Sequence, residues 1–472
     1  MNQESYNRNR RQFLLNSGIG MGAMALGSMM PGQAEAANLA KLHFAPKAKR
    51  VIFLCMSGGP SQHDLFDYKP NLEKLYGKNL ADHLTIPRLS GMTSGKKSFP
   101  IAPSQFKFKQ HGKSGAWVSE LLPHTAKIVD DLCFVKSMTS THVNHDPAVT
   151  FLQSGHAFPG RPSMGSWSSY GLGTLNRNLP DYIVLTSQGK YKSAQPLLSR
   201  LWGSGFLPSK HQGIKFRSGE NAVFHLKDPA GHSLKDERVA FDALKELNEQ
   251  RFDQVNDKEI QTRIAQYEMA YKMQTSVPDL TNLKDEPDST YKLYGEDAKT
   301  PGSFASNCLM ARRMIERDVR FVQLFHTGWD HHDSVSKYHP VLCKETDQAC
   351  AGLVTDLKQR GLLKDTLIVW GGEFGRTVFS QGGLKRNSYG RDHHPYNFTY
   401  WMAGGGVKGG ISYGETDDFS CNVATNPVTF HDLHATMLHL MGVDHEKLTY
   451  KFQGRHFRLT DVHGKAIKEI MV

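Results

Sequence analysis

The chain has 472 residues, of which 39% are hydrophobic and 22% are charged, a composition typical of globular proteins. Its formal net charge of +11 suits an anionic substrate or an anionic surface. The basic residues are spread along the chain, however, and no basic run with interleaved aromatic residues indicates a nucleic-acid partner, so none is expected.

The N-terminus has the features of an export signal. Residues 9–15, NRRQFLL, resemble the twin-arginine motif, and a short apolar segment follows at about residues 19–30. That segment is too short and too rich in glycine for a good membrane span. The AEA sequence at residues 34–36 fits a cleavage site, which predicts a signal peptide over residues 1–36 and a mature chain, residues 37–472, without a transmembrane segment. We therefore expect export by the twin-arginine route to the periplasm or the cell exterior.

Short apolar runs alternate with helical patterns along the rest of the chain. Such runs predict strands buried on both faces, as in a parallel sheet, and the alternation predicts one α/β sheet with insertions. Charged residues interleaved with apolar residues at helical spacing predict an inserted helical hairpin or lid over residues 233–275. The predicted strands are residues 50–56, 132–135, 182–185, 320–325, 367–370 and 398–402, and the predicted helices include residues 68–76, 116–129, 162–175, 304–316, 339–360 and 427–441.

Polar side chains that can bind a metal follow four of the predicted strands. In open α/β sheets ligands bind beyond the carboxyl ends of the strands, so these groups are expected to converge. Glu373 is a potential metal ligand, and Arg376 is a bidentate partner for a tetrahedral oxyanion. A surface ion pair between these two residues is the alternative. The four groups are Ser61, His63, Asp64 and Asp67; His142, His145 and Asp146; His326, Asp330, His331, His332 and Asp333; and Glu373, Arg376, Arg391, Asp392, His393 and His394.

The chemistry of these groups predicts a divalent metal centre. Neutral imidazoles together with carboxylates suit Zn, Mn or Fe, whereas Ca alone would not favour so many histidines. No C-x-x-C pair occurs, which argues against a thiolate zinc site. We expect one or two ions, with zinc as the first candidate and Mn, Fe or Ca as the next candidates.

Five motifs give the chain a resemblance to a known family. They are SGGPSQHDLFDYKP, HVNHDPAVTFLQSGHAFPGRPSMGSW, CLMARRMIERDVRFVQLFHTGWDHH, EFGRT and GRDHHP. From residue 49 to about residue 458 the chain resembles the domain-of-unknown-function 1501 family, which in turn resembles the alkaline phosphatase and sulfatase superfamily. The resemblance implies an alkaline-phosphatase-like α/β fold, with a mostly parallel sheet between helices and a metal site at the strand ends. Typical members of that superfamily cleave phosphate or sulfate esters.

The same resemblance implies roles for individual residues. Glu373 falls on the Asp of the sulfatase Asp-His-Gly run, and Phe374 falls on its His. His393 takes the place of the last superfamily histidine, and the GWDHH motif supplies Asp330 and His332. The expected metal ligands are Asp64, His145, Asp330, His332, Glu373 and His393, and the further site candidates are His63, His142, Asp146, His331, Arg391, Asp392 and His394.

The identity of the catalytic nucleophile is left open. His145 stands where the resemblance to the sulfatase C-x-P-S-R run would place a nucleophile, but we prefer a ligand role for it. Ser61, near a glycine turn, or a metal-bound hydroxide would then serve as the nucleophile. Arg376 is expected to hold the non-bridging oxygens of an ester and to stabilise the charge that develops on them.

Together these expectations describe an exported metal-dependent hydrolase of sulfate or phosphate esters. Its substrate would be an anionic small molecule or a polysaccharide ester. The competing hypothesis is a catalytically degenerate relative that binds anionic polysaccharide or a partner protein. Phe374 in place of a histidine, and the missing usual nucleophile, favour that competing hypothesis.

Overall fold

The computed structural model of the chain describes residues 42–85, 95–190, 195, 197–217, 222–223, 234–385 and 388–472. The predicted signal peptide lies outside the described residues, and export stays a prediction. Among the helices of the described residues, none combines the length and the apolar composition needed to cross a membrane.

Helices and strands alternate over most of the described chain. The strands are β1 (Arg50–Ser57), β2 (Phe108–His111), β3 (Ala116–Ser119), β4 (Leu132–Met138), β5 (Tyr182–Gln188), β6 (Ile214–Lys215), β7 (Phe321–Thr327), β8 (Thr366–Gly371), β9 (Gly375–Ser380), β10 (Arg391–His394), β11 (Phe398–Ala403), β12 (Ile411–Tyr413), β13 (Glu415–Thr416), β14 (Val423–Thr425), β15 (Tyr450–Phe452) and β16 (Arg455–Phe457). The helices are α1 (Gln62–Leu65), α2 (His145–Ser154), α3 (Met164–Leu172), α4 (Leu234–Val255), α5 (Lys258–Thr281), α6 (Asp288–Tyr294), α7 (Phe304–Glu316), α8 (Val335–Gln359) and α9 (Phe430–Leu440).

One sheet organises the described chain, with its strands in the order β12-β4-β11-β8-β1-β7-β5-β6. Neighbouring strands of this sheet run parallel except at β11, which is antiparallel to both β4 and β8. Helices pack against both faces. The predicted α/β class, with a mostly parallel sheet between helices, is therefore confirmed.

Strand β1 shows why the sheet needs continuous apolar runs. Every residue of β1 is buried. Ile52 and Leu54 pack in a cluster with residues of α7 and α8, whereas Val51 and Phe53 pack in a second cluster with residues of α2 and α9. Because side chains alternate between the two faces of a strand, an unbroken apolar run is needed to fill both clusters. The neighbours of β1, strands β7 and β8, are buried in the same way.

Two of the predicted helices are wrong. Residues 116–129 begin with strand β3, which pairs with β2, and continue as two short 3-10 turns. Pro123 in this segment has no backbone N–H to donate, which opposes a continuous helix. Residues 68–76 contain only the 3-10 segment Pro70–Leu75. Apolar spacing alone therefore overestimated the helix content between β1 and β4.

The helical pattern of residues 233–275 corresponds to α4 and α5, the second of which ends at Thr281. The two helices pack against each other. On α5, Met269, Met273 and Val277 are buried in the core cluster that also contains α7 and α8. The hairpin is therefore fixed to the main sheet layer by the apolar face of its second helix.

A β-hairpin that is absent from the predicted strands follows β8. Strands β9 and β10 pair antiparallel, with His393 opposite Arg376. Arg376 on β9 and Arg391 on β10 are among the largest fully buried side chains of the described chain. A buried charge needs hydrogen-bonded partners, and both arginines find theirs in the segment after β1, at Gly59 and Asp64.

Asp64 supplies the carboxylate for Arg391. The Nε and Nη2 atoms of Arg391 donate to Oδ2 and Oδ1 of Asp64 over 2.8 and 3.2 Å. Ser61 Oγ donates to Oδ2 of the same carboxylate over 2.6 Å. Burial by itself would raise the pKa of Asp64, but the guanidinium of Arg391 holds this pKa well below the ordinary value of 3.8. The pair therefore ties the segment after β1 to strand β10.

We expect Asp64→Asn to lower the free energy of unfolding by about 3–5 kcal/mol at neutral pH, because the charge of Arg391 is left buried without its counter-ion. The folded carboxyl has the lower pKa, so its stabilisation is complete above the ordinary value of 3.8 and is lost as the pH falls below it. Denaturant titrations should show a constant gap between wild type and variant from about pH 7 to about pH 5, and a gap that narrows below about pH 4.

Asp242→Asn is the matched control, since Asp242 pairs with Arg238 at an exposed helix position. This variant should leave the free energy of unfolding nearly unchanged. A gap for Asp64→Asn that stays constant with pH would contradict the role given to the buried pair.

Candidate metal centre

Three histidines and one aspartate meet just beyond the carboxyl edge of the central sheet. His145 begins α2, which follows β4, and Asp330 and His332 follow β7. His393 lies on β10, opposite Arg376. One ligand atom from each of the four residues lies within 4.8 Å of the others. The structure thus brings together four of the six expected metal ligands.

The three imidazoles turn the same ring atom toward the carboxylate of Asp330. Nε2 of His145 lies 3.2 Å from Oδ2, whereas Nε2 of His332 and Nε2 of His393 lie 2.8 and 3.1 Å from Oδ1. Nη2 of Arg376 donates to Oδ1 over 2.6 Å. Although burial would raise the pKa of Asp330, Arg376 and the three imidazoles hold this pKa well below its usual range. The carboxylate therefore stays ionised.

The surroundings of His393 favour a cation between its ring and Asp330. Nδ1 lies 2.6 Å from the carbonyl oxygen of Val143, which can only accept, so Nδ1 carries a proton. A neutral ring then presents the lone pair of Nε2 to an oxygen of Asp330. A second proton would remove this repulsion, but burial, with the charges of Arg376 and His145, lowers the pKa of His393 to about 4. A bound metal ion removes the repulsion without that proton.

Glu373 orients His145. Nδ1 of His145 lies 2.6 Å from Oε1 of Glu373, and this oxygen also accepts from the backbone N–H of Gly58 over 2.8 Å. Burial alone would lower the pKa of His145, but hydrogen bonds to Asp330 and Glu373 raise it to about 9. A metal ion must therefore displace a proton when it binds Nε2. Glu373 was expected to be a ligand, but it contacts Nδ1 of His145, the ring nitrogen opposite Nε2, and so orients the ring.

The third ring, His332, faces the side-chain oxygen of Gln381 with its Nδ1. Histidines that bind metals usually have such a partner at the second ring nitrogen, and each of the three rings has one. The sequence did not indicate Gln381 or the carbonyl of Val143. A glutamine and a backbone carbonyl do not belong to metal-ligand motifs, so no motif predicts them. Only the position of Gln381 directly after β9 could have indicated that it lies near the site.

This donor set fits a divalent transition metal. Three imidazoles and one carboxylate suit Zn, and they also suit Mn or Fe. Calcium prefers oxygen ligands, so three nitrogen donors disfavour it. Within the described part of the chain, this is the one group of three or more His, Cys, Asp or Glu residues with such spacing. Of the two expected ion counts, the geometry supports a single ion.

Phe374, where the sulfatase pattern has a histidine, packs against the rings of the cluster. Its ring centroid is 4.4 Å from that of His393 in a stacked arrangement and 4.9 Å from that of His145. Phe374 is itself buried. It offers no donor atom to an ion, but it limits the movement of two of the rings that do.

Arg376 is buried, and its donors are used within the protein. Nε donates to the carbonyl of Gly59 over 2.9 Å, and Nη1 donates to the carbonyl of Arg391 over 3.2 Å. Nη2 donates to the carbonyl of Gly58 and to Asp330. Binding the oxyanion of an ester would require Arg376 to break these contacts. The placement favours a structural role, in which Arg376 holds the loops around the centre.

The other candidates surround the cluster. Asp64 and Ser61 are buried with Arg391, so Asp64 is outside the ligand set and the hydroxyl of Ser61 is already donated. Neither ring nitrogen of His63 has a hydrogen-bond partner among the described residues, and burial lowers its pKa. The remaining contacts are His331 with His339, His394 with the Cys421 carbonyl, His142 with Thr141, Asp146 with Arg200, and Asp392 with the backbone N–H of His393.

Comparison with known proteins gives a family match and several similar folds. The model of the family described as "Protein of unknown function (DUF1501)" matches residues 48–471. No curated protein matches the chain.

Three of the similar solved structures are a sulfatase, a phosphonate monoester hydrolase and an alkaline phosphatase. A sulfatase from Pseudoalteromonas sp. is 14% identical, with 88% of this chain and 71% of that chain covered and a TM-score of 0.33. A phosphonate monoester hydrolase from Silicibacter pomeroyi is 12% identical, with 90% and 76% covered and a TM-score of 0.36. An alkaline phosphatase from the Antarctic bacterium TAB5 is 12% identical, with 78% and 95% covered and a TM-score of 0.29. Similarity at this level assigns no activity to the chain.

We expect the purified protein to bind about one divalent ion per chain. The variants His332→Ala and His393→Ala should each lose the ion, because each substitution removes a ligand. Glu373→Gln should keep the ion with about 10–100-fold lower affinity, because Glu373 orients a ligand and does not itself bind. Elemental analysis and competition with a chelator measure both quantities.

His456→Ala, at an exposed histidine of β16, is the control and should bind the ion as wild type does. Retention of the ion by His332→Ala, or its complete loss from Glu373→Gln, would contradict the assignment of ligands and supporting residues.

Proposed function

Because the chain belongs to the DUF1501 family of proteins of unknown function, we propose its function from its own metal centre: a metal-dependent hydrolase of sulfate or phosphate esters. The observation that carries the proposal is the group of His145, Asp330, His332 and His393 at the carboxyl edge of a mostly parallel sheet. That edge is where open α/β sheets bind ligands. All four residues are partly exposed, so a substrate can reach them.

The residues of the chain prepare the centre for an ion. Glu373 accepts from Nδ1 of His145, and the carbonyl of Val143 accepts from Nδ1 of His393, so Nε2 is the atom that each ring offers to an ion. Nε2 of His393 already has its lone pair free, whereas the ion must displace a proton from Nε2 of His145. Asp330 supplies the negative charge that a divalent ion requires. When bound, such an ion would supply Lewis-acid polarisation of an ester oxygen.

An anionic ester is the substrate class that the charges favour. The chain carries a net charge of +11, which attracts anions over a distance. A divalent ion adds positive charge at the site itself, where the oxygens of a sulfate or phosphate group would lie. A small molecule and the exposed end of a polysaccharide both satisfy this requirement.

A specific observation favours the competing proposal, a catalytically degenerate relative that binds anionic polysaccharide or a partner protein. The hydroxyl of Ser61 is buried and donates to Asp64, so it is not available as a nucleophile. His145 has both ring nitrogens directed at carboxylates, those of Asp330 and Glu373. Hydrolysis would then depend on water as the nucleophile, whereas a binding function needs no nucleophile.

We expect the metal-loaded protein to hydrolyse at least one ester of a panel of aryl sulfates, phosphate monoesters and phosphate diesters. His332→Ala should lower the rate on the order of a hundredfold or more, because it removes the ion that stabilises developing charge. Initial rates with chromogenic esters measure this, and His456→Ala should keep the wild-type rate. If the loaded wild type hydrolyses no ester of the panel, the binding function takes its place.

We also propose that residues 1–36 direct export by the twin-arginine route to the periplasm or cell exterior. The arginine pair, the apolar segment and the cleavage site occur in the order that such signals require. Changing Arg10 and Arg11 together to Lys should leave the precursor in the cytoplasm, because the pair is the recognised feature. Fractionation with immunoblotting checks this, and export of the double variant at normal yield would disprove it.

A further inference from the structure

A second arginine, Arg200, pairs with the residue that follows a candidate metal ligand. Arg200 belongs to a turn of 3-10 helix, Ser199–Trp202, that packs against α2. Leu201 and Trp202 are buried, and the Trp202 ring lies 5.9 Å from the ring of Phe325 on β7, measured between centroids. The two apolar anchors hold the backbone of Arg200 in a fixed position relative to the sheet.

Arg200 pairs with Asp146, the residue that follows the candidate ligand His145. Asp146 and His145 share the first turn of α2, so the ion pair and the candidate ligand are at the same end of this helix. Nε of Arg200 is buried and has no hydrogen-bond partner among the described residues. The guanidinium therefore has donor capacity that the described chain does not use.

Exposure distinguishes this arginine from Arg376. The side chain of Arg376 is 2% exposed, and its bonds to backbone carbonyls and Asp330 hold the centre together. The side chains of Arg200 and Asp146 are 28% and 54% exposed. Exposed ion pairs contribute little to stability because water screens them, whereas a buried pair that loses a partner is strongly destabilised. An incoming anion can therefore replace Asp146 at Arg200, but it cannot readily displace the partners of Arg376.

We propose that Arg200 binds the sulfate or phosphate group of the substrate and that Asp146 holds the guanidinium in position until the anion arrives. The inference rests on the proposed function, to which it adds a residue that determines substrate class. Two N–H groups of a guanidinium match two oxygens of a tetrahedral anion in a bidentate contact. The carboxylate of Asp146 competes for the same donors.

The test is the binding of inorganic phosphate and inorganic sulfate to the metal-loaded protein, measured by isothermal titration calorimetry. We expect Arg200→Ala to weaken the affinity by about tenfold or more, because a charge-assisted contact is lost. Asp146→Asn should tighten the affinity severalfold, because it removes the competing carboxylate. Arg455→Ala is the matched control: this arginine of β16 also pairs with an aspartate, Asp461, and its loss should change neither affinity.

Metal content, measured on the same samples, separates loss of Arg200 from loss of the ion. If Arg200→Ala keeps its metal and binds both anions as wild type does, the inference is overturned. If Arg200→Ala loses its metal, the Arg200→Lys variant is tested in place of Arg200→Ala, since lysine keeps the charge without the bidentate geometry. Wild-type affinity of Arg200→Lys for both anions would then overturn the inference equally.

Failure of this inference and failure of the proposed function give different results. If the wild type hydrolyses esters while Arg200→Ala keeps its anion affinity, the inference alone is wrong. If the wild type hydrolyses none, but Arg200→Ala and Asp146→Asn shift the anion affinity in opposite directions, the hydrolase proposal fails and Arg200 remains the anion-binding residue. Binding of neither anion by the loaded wild type overturns the inference itself.

Discussion

The buried guanidinium of Arg376 is the contact on which the geometry of the candidate metal centre depends. It extends from β9 to the carbonyls of Gly58 and Gly59 after β1, and to Asp330 after β7. Because a buried charge that loses its partners is strongly destabilising, these segments cannot move independently. The parallel strands bring the ligand-bearing segments to one edge of the sheet, and Arg376 then fixes the distances between them.

The charges around Asp330 explain why an ion suits this centre better than protons do. His145 and His393 both face this carboxylate, with their ring centroids 4.3 Å apart. The surroundings raise the pKa of His145 to about 9 and lower that of His393 to about 4. At neutral pH the ring of His145 is therefore protonated and the ring of His393 is neutral. The lone pair of His393 then still faces a carboxylate oxygen. A divalent ion satisfies both rings together, which protonation of one ring does not achieve.

The sequence allowed the sheet to be predicted because strands buried on both faces require unbroken apolar runs, as in β1 and β8. It also located the histidines, since the carboxyl ends of parallel strands share one edge. The role of Glu373 could not be predicted in this way. A carboxylate directly after β8 can bind an ion or support a ligand, and the outcome depends on His145, which is 228 residues away in the chain. The β9–β10 hairpin was missed because Arg376 and Arg391, and not alternating apolar residues, hold it in place.

Whether the centre hydrolyses or only binds depends on the source of the nucleophile. Attack by Ser61 would require breaking its hydrogen bond to Asp64, an ionised and buried carboxylate shared with Arg391. Attack by His145 would require the Nε2 atom that faces Asp330, which the ion also needs. Each side chain would give up a contact that holds the centre together. Attack by water breaks neither of these contacts, and water can reach the centre because the four ligand residues are partly exposed. For hydrolysis at this centre, direct attack by water is therefore favoured over a covalent intermediate on a side chain.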